Sequence, residues 1–377
     1  MTQKRRTGSR RRATTPAGTA GPSSSTAGTA WPPPETGFTY LRARYYDPAT
    51  GQFVSRDPLT AMTGSPYSYV DGNPLDVRLS VAGIRPRAEL RVLIKRYLSV
   101  IAADGRNLRL LVAQAPLIAL LVWALAPADA LAVLGAPGTP RGARNSASTV
   151  LLALTLGAAF MGLSNALREV VKELPVYQRE RAVGLSISAY LGSKAIVLGV
   201  ITVLQAGLLV AIGMWRQGHL GDGVTPFGPP KVEMLLAVAL TGVAAMALGL
   251  MVSAVVTSAD KALTLLPVVL LGLFLLSGPL FNLTNRPVLR ELSYVTSTRW
   301  GYSALAATVD LEGIRGCKPA DCQSSWEHST GTWAANMAAP VALTVVPLLI
   351  AAWALRRRDP LRSWKRARPG RGRTRLG

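Results

Sequence analysis

The sequence predicts an all-α polytopic membrane protein with six transmembrane helices and both termini cytoplasmic, preceded by a disordered leader and a small β-hairpin. Three observations support this fold class. The 377 residues are 49% hydrophobic and only 16% charged, whereas a soluble domain carries about 25% charged residues. Six apolar segments that lack Asp, Glu, Lys and Arg are each long enough to cross a bilayer. The net charge of +22 is concentrated at the two ends of the chain.

The charge distribution also limits the class of protein. Residues 1–12 contain six basic residues and no acid, and residues 356–377 contain ten basic residues and one acid. The region between them is nearly neutral and apolar, which excludes an ordinary soluble enzyme, and two cysteines exclude a disulfide scaffold. Because the basic ends contain a single aromatic residue, Trp364, we expect them to meet the headgroups of the lipid bilayer, and we expect no nucleic acid partner.

The N-terminal region is read in two parts. Residues 1–36 are rich in Thr, Ser, Pro, Gly and Ala, a composition that cannot bury a core, so we expect a disordered basic leader. This leader has no apolar stretch of the kind found in a signal peptide. From residue 37 an aromatic strand, a turn at 47–51 and a second strand at 52–55 predict a β-hairpin.

The hairpin region also carries a specific resemblance. The strings LRARYYDPATGQF (41–53), SRDPL (55–59) and YSYVDGNP (67–74) resemble the RHS repeat-associated core over about residues 37–76. In that family the core closes a large shell around a C-terminal toxin. We therefore assign residues 37–80 to an RHS-core-like fragment, which arises from a gene fusion or from a join between two sequences near residues 76–84.

Residues 83–107 are predicted to form an amphipathic interfacial helix. Apolar side chains recur there at helical spacing, with basic residues on the flank. The apolar positions are Leu90, Leu93, Ile94, Tyr97, Leu98 and Ile101, and the basic positions are Arg91, Lys95 and Arg96. A simple connector between helices is the alternative interpretation.

A six-helix domain is predicted over residues 108–356. Its uncharged runs are 110–128, 145–167, 195–215, 234–259, 262–285 and 328–355. The run 300–309 has ten residues and is too short to span, so it is placed in a long outer loop, 286–327. Lys and Arg favour one side of the membrane, with 23 residues from position 85 onward against nine. That side is predicted to be cytoplasmic and includes a basic tail, 357–377. The expected location is the plasma (inner) membrane.

The loop between the second and third spans carries the main functional signal. Its string KELPVYQRERAVG (172–184) is dense in charge, which by itself fits either a docking element for a cytosolic partner or a solvated loop. The string resembles the coupling-helix region of the type-2 ABC transporter permeases of the G-subfamily. The E-x5-RE-x3-G-x5-Y spacing that carries the resemblance consists of Glu173, Arg179, Glu180, Gly184 and Tyr190.

Further strings resemble the same family over about residues 83–358: ADGRN (103–107), QAP (114–116), SGPLF (277–281) and TRWGYSA (298–304). The resemblance implies that the segment containing Lys172, Glu173, Arg179, Glu180, Arg181, Gly184 and Tyr190 docks on an ABC nucleotide-binding subunit. It also implies a homo- or heterodimer of six-helix units that exports a substrate by alternating access.

The chain is not expected to be an enzyme. The string G-x-x-x-x-G-K-[ST] does not occur in its 377 residues, so no phosphate-cradling loop is available. We therefore expect no catalytic residues and no cofactor bound by this chain, with ATP used through the partner subunit. The alternative function is an RHS-type polymorphic toxin or fusion protein with a membrane-acting C-terminal region.

The remaining candidate residues are weaker. Cys317 and Cys322 lie in the predicted outer loop, where they form a disulfide or remain two unpaired thiols. Related permeases often carry cysteines in this loop. We expect no metal site, because two cysteines and two histidines lack a suitable ligand spacing. Glu169 and Glu233, near span ends, are interpreted as snorkelling or ion-paired boundary residues rather than substrate contacts.

Overall fold

The structure is a computed structural model that describes residues 39–41, 44–47, 49–50, 52–54, 86–128, 130–131, 141–182, 184–217, 220, 223–225, 229–281, 286–315 and 323–359. The chain divides into two units, residues 1–82 and 83–377, each described here by itself. The leader predicted over residues 1–36 and most of the predicted basic tail, from residue 360 on, lie outside the described residues.

The first unit contains a three-stranded antiparallel sheet in the order β1-β2-β3, formed by Thr39–Leu41, Arg44–Asp47 and Gln52–Phe53. In its register Tyr46 lies opposite Phe53. The Asp47 carboxylate accepts hydrogen bonds from the Ala49 amide and the Thr50 hydroxyl, each at 2.9 Å. Aspartate stabilises turns in this way, and these bonds lower the pKa of Asp47.

In the described residues of the second unit the regular elements are helices. Its helices are α1 (Pro86–Ala103), α2 (Gly105–Leu125), α3 (Arg141–Ala166), α4 (Leu174–Ala182), α5 (Ile187–Gly213), α6 (Pro230–Val255), α7 (Ala259–Leu275), α8 (Pro287–Ser293), α9 (Ser297–Thr308), α10 (Leu311–Arg315) and α11 (Thr330–Arg357). A short 3-10 helix, Ser324–Trp326, precedes α11.

Five of these helices are long and apolar enough to cross a membrane: α2, α3 from Ser146, α5, α6 and α11. The fifth of the six predicted spans, 262–285, corresponds to α7, which has 17 residues and ends at Leu275. At ~1.5 Å per residue α7 is about 25 Å long, less than the ~30 Å hydrocarbon core. The chain bends after α7, and Gly278 adopts a left-handed φ of 106° that a residue without a side chain accommodates best. The length of the run without charged residues therefore overestimated the length of this helix.

Small residues allow the central helices to approach closely. A Cβ atom on Gly162 of α3 would collide with the carbonyl oxygen of Gly242 in α6. A Cβ atom on Gly242 would meet Thr202 Cγ2 of α5 at 2.8 Å. Membrane helices use glycine in this way, because close backbone contact replaces the hydrophobic driving force that lipid does not provide. As a result α6, the most buried of the five long helices, packs at the centre of the unit.

The region predicted as a long outer loop, 286–327, contains helices α8, α9 and α10. Helix α9 is buried along most of its length, and Thr298 at its start donates a hydrogen bond of 2.6 Å to the carbonyl oxygen of Leu273. The ring of Tyr302 meets the ring of Trp326 at 5.4 Å between centroids. Helix α9 is too short to span the membrane and is instead part of the core.

Candidate functional site

Helix α4 forms where the chain turns between α3 and α5. Before it, the hydroxyl of Ser253 in α6 accepts hydrogen bonds from the amides of Val170 and Val171 at 3.0 and 3.1 Å. After it, the Leu185 amide bonds to the carbonyl of Glu180, and Gly184 adopts a φ of 115°. This left-handed glycine ends the helix by a Schellman-type cap. The predicted Gly184 therefore has a conformational role.

The first tie from α4 runs to α1. Arg96 donates to Glu180 at 2.5 Å, and the two side chains are 44% and 30% exposed. This hydrogen bond raises the pKa of Arg96. A half-exposed pair of this kind contributes at most about 1 kcal/mol to stability. Its consequence is mainly geometric, because it sets the position of α1 relative to α4.

The second tie runs from α4 to the end of α11. Arg181 pairs with Asp359 at 2.9 Å and also donates to the carbonyl of Leu185 at 2.6 Å. The neighbouring Arg358 donates to the backbone carbonyls of Val255 and Val256 at the end of α6. The end of α11 is thereby joined to both α4 and α6.

The third tie is a buried cluster that we call the Lys194 cluster: Tyr97, Glu169, Lys172, Glu173 and Lys194. The Lys194 ammonium lies 2.8 Å from a Glu173 oxygen and 3.7 Å from a Glu169 oxygen. Glu169 also meets Lys172 at 2.6 Å and accepts a 2.5 Å hydrogen bond from the Tyr97 hydroxyl. Lys194 is only 1% exposed, and a buried charge requires such compensation.

These contacts determine the protonation states of Glu169 and Tyr97, two groups of the cluster that lie outside the spans. Burial opposes ionisation of Glu169, but the charges of Lys194 and Lys172 outweigh burial and lower the pKa of its carboxyl group. Burial and the neighbouring Glu169 charge raise the pKa of Tyr97. Glu169 is therefore ionised and Tyr97 is a neutral hydrogen-bond donor at neutral pH. Glu169 is ion-paired, and Glu233 accepts hydrogen bonds from the amides of Val224 and Thr225.

Aromatic packing completes the attachment of α4. The ring of Tyr177 in α4 lies 4.6 Å from the ring of Tyr190 in α5, and both residues are buried. Buried aromatic pairs of this geometry contribute about 0.5–1.5 kcal/mol beyond the area that they bury. Tyr190, one of the predicted docking residues, thus belongs to the support of α4.

The seven predicted docking residues fall into two groups. Five make contacts inside the protein, although Lys172 is itself exposed: Lys172, Glu173, Glu180, Arg181 and Tyr190. The other two, Arg179 and Gly184, are exposed. The solvent-facing surface of α4, which we call the α4 face, consists of Pro175, Val176, Gln178 and Arg179. Cys317 and Cys322 lie outside the described residues.

Several supporting residues were not predicted. Tyr97, Ser253 and Asp359 have no local signature, because their partners are more than 70 positions away in the sequence. Lys194 offered a usable signal, since it is a charge bordered by an apolar run. Charged residues within membrane helices are rare and mark either function or internal pairing.

Together, the long apolar helices and the charged helix tied to them at one end define a multi-pass helical membrane protein. A family model described as ABC-2 type transporter matches residues 88–309. The chain belongs to this family and carries its membrane domain, which is a transport domain and not a catalytic one.

A curated relative agrees with this assignment. The chain is 35% identical over 222 residues to the ABC transporter ATP-binding/permease protein Rv1747 of Mycobacterium tuberculosis (strain ATCC 25618 / H37Rv). The aligned region covers 59% of this chain and 26% of that protein, so the chain spans about a quarter of the relative's length. The family match begins at residue 88, so the RHS-like segment 37–76 lies outside it and that resemblance stays a prediction.

Proposed function

We propose that this chain is the membrane subunit of an ATP-driven exporter in which α4 is the coupling helix. A nucleotide-binding unit supplies ATP hydrolysis, and the spans move substrate by alternating access. Membership of the ABC-2 type transporter family supports the proposal. The name of the relative, which joins ATP-binding and permease functions, supports a nucleotide-binding partner.

One observation carries the assignment of α4. Ion pairs join it or its flanking turn to α1, to the end of α11 and to α5, while the α4 face remains exposed to solvent. A helix held on several sides transmits a displacement to the spans instead of absorbing it by local bending. Contact of a partner with the α4 face would therefore move α1, α5 and α11 together.

The proposed topology has six spans, with α7 as the fifth. Helices α1 and α4 and the end of α11 lie on the cytoplasmic side of the plasma membrane, where Lys and Arg are most frequent. Two such six-helix units, identical or different, enclose the pathway. The loops before α3 and before α6 lie on the opposite side.

The test is co-purification of ATP hydrolysis with the tagged chain from its native membrane. The unaltered chain is expected to retain a bound ATPase, and Arg179→Glu is expected to lose at least 90% of the co-purifying activity, roughly a tenfold loss that corresponds to about 1.4 kcal/mol. Lys261→Glu is the matched control, because this exposed lysine lies on the same proposed side but outside α4.

Two results would contradict the proposal. Either no ATPase activity accompanies the unaltered chain, or Arg179→Glu and Lys261→Glu retain equal activity. Glu180→Gln separates docking from support. Since Glu180 contacts Arg96, its replacement should weaken ATP-driven transport more than it weakens binding of the ATPase.

A further inference from the structure

Two adjoining cavities lie between α2 and α3. The larger, about 590 Å³, is mostly apolar, with Leu121, Leu125 and Val150 among its lining residues. The smaller, about 370 Å³, is lined in part by Asn107, Asn165 and Arg168. Ile118 and Phe160 line both cavities. The cavities therefore adjoin at these two side chains, and we call them together the α2–α3 groove. Each volume is in the range of small-molecule sites.

The polar end of the groove has a fixed floor of amides. Gln114 of α2 donates to Asn165 of α3 at 2.6 Å, and Asn165 donates to Gln205 of α5 at 2.7 Å. Gln205 in turn donates to the carbonyl of Leu111 at 2.7 Å. These side chains use one another as partners, as polar residues in membrane helices do. The floor thus offers a polar surface without an unpaired buried charge.

The uncompensated charge at this end is positive. Arg168 lines the smaller cavity and is exposed, and no ion pair joins it to another residue in the part of the chain that the structure describes. The adjacent carboxylate of Glu169 is already occupied by Lys172 and Lys194. An anionic group entering here meets the Arg168 guanidinium and the Asn107 amide, whereas the opposite end of the groove is mostly apolar.

We propose that the α2–α3 groove binds an anionic phospholipid, with its phosphate at Arg168 and Asn107 and one acyl chain passing Ile118 and Phe160. From Ser146 to Asn165 the α3 lining of the groove extends ~29 Å. This distance exceeds the ~15 Å that one leaflet provides for an acyl chain. That the lipid is the transported substrate rests on the proposed function, whereas its binding does not.

Photolabelling tests the binding. The full chain is purified into nanodiscs of phosphatidylcholine that contain a small fraction of phosphatidylglycerol with a photoreactive acyl chain. The label is expected on groove-lining positions of α2 and α3. Ala153→Phe places a large side chain in the apolar cavity and should reduce labelling about tenfold. Ala113→Phe, on an exposed part of α2 outside the groove, should leave labelling unchanged.

The headgroup is tested by competition. Unlabelled phosphatidylglycerol should displace the probe better than neutral diacylglycerol, and Arg168→Gln should remove about a fivefold preference, as expected for one basic residue near an anionic headgroup. Arg106→Gln is the matched control, an exposed arginine at the same end that does not line the groove. If Ala153→Phe does not fold, Arg168→Gln tests the proposal by itself.

The proposal is overturned if label spreads evenly over the lipid-exposed surface of all spans, or if diacylglycerol competes equally in the unaltered chain. These assays need no ATPase. A groove that binds phosphatidylglycerol in a chain that recruits no ATPase would refute the proposed function alone. A chain that couples to an ATPase but shows neither labelling pattern nor headgroup preference would refute the groove alone.

Discussion

Replacing Lys194 by methionine tests whether the Lys194 cluster supports α4. Methionine keeps most of the length of the unbranched side chain and removes the ammonium group with its charge and hydrogen-bond donors. The substitution leaves Glu173 without its cation, while Glu169 retains Lys172 at 2.6 Å. The protein should therefore lose stability mainly through one uncompensated carboxylate.

The magnitude follows from the distances. At an effective dielectric constant of about 20, the attraction of Lys194 to Glu173 at 2.8 Å is about 6 kcal/mol, and that to Glu169 at 3.7 Å is about 4.5 kcal/mol. The desolvation of buried charges, several kcal/mol per ion, offsets much of this attraction. Removal of one partner from a buried ion pair typically costs about 3–5 kcal/mol, and we expect a loss in that range.

The assay is an unfolding titration in mixed detergent micelles, followed by helical circular dichroism, on a double-mutant cycle. Lys194→Met combined with Glu173→Gln should recover at least about 1.5 kcal/mol relative to the sum of the single variants, since the second change removes the orphaned charge. Lys261→Met, at an exposed lysine, should change stability by less than about 0.5 kcal/mol. Strict additivity within the cycle would refute the ion-pair argument.

Three further predictions use the same unfolding assay. Gly162→Ala should destabilise the protein by about 1–3 kcal/mol because its methyl group meets the Gly242 backbone. Gly207→Ala, with open space around it, should be neutral or stabilising by up to about 1 kcal/mol. Equal effects of the two substitutions would contradict the close packing of α3 against α6. Gly184→Ala should cost about 1–3 kcal/mol because of the positive φ, and an unchanged midpoint would count against this backbone constraint. Since the pKa of Glu169 is lowered on folding, its stabilisation is complete above its ordinary value of 4.5 and declines as pH falls through the lowered pKa. Glu169→Gln should flatten the acid decline, and an unaltered pH profile would oppose this explanation.

Hydrophobic patterning located most of the fold, with errors that have physical causes. The predicted third span began at Ala195 because Lys194 is charged, yet α5 begins at Ile187. A lysine paired with Glu173 is tolerated inside a helix, so its charge does not end the helix. The count also extended the fifth span to residue 285, although α7 ends at Leu275. No charge marks that bend.

The sequence pattern located the candidate site but did not show which of its residues are exposed and which are paired. The spacing of Glu173, Arg179 and Glu180 identified the α4 region, yet it could not separate docking residues from supporting ones. Their separation depends on side chains far away in the sequence, namely Arg96, Lys194 and Asp359. Charge alone is equally consistent with an exposed and a paired residue.

The sequence by itself determined that this protein is a multi-pass membrane protein. Apolar runs without charged residues that are long enough to cross a bilayer are favourable in lipid, and they can be recognised from composition alone. It also determined the position of the charged segment that begins at Lys172. Only the tertiary structure decided that Arg179 is exposed while Glu180 is paired, and that α9 lies in the core. The physical reason is that hydrophobicity acts along a segment, whereas ion pairs and close helix contacts exist only between segments.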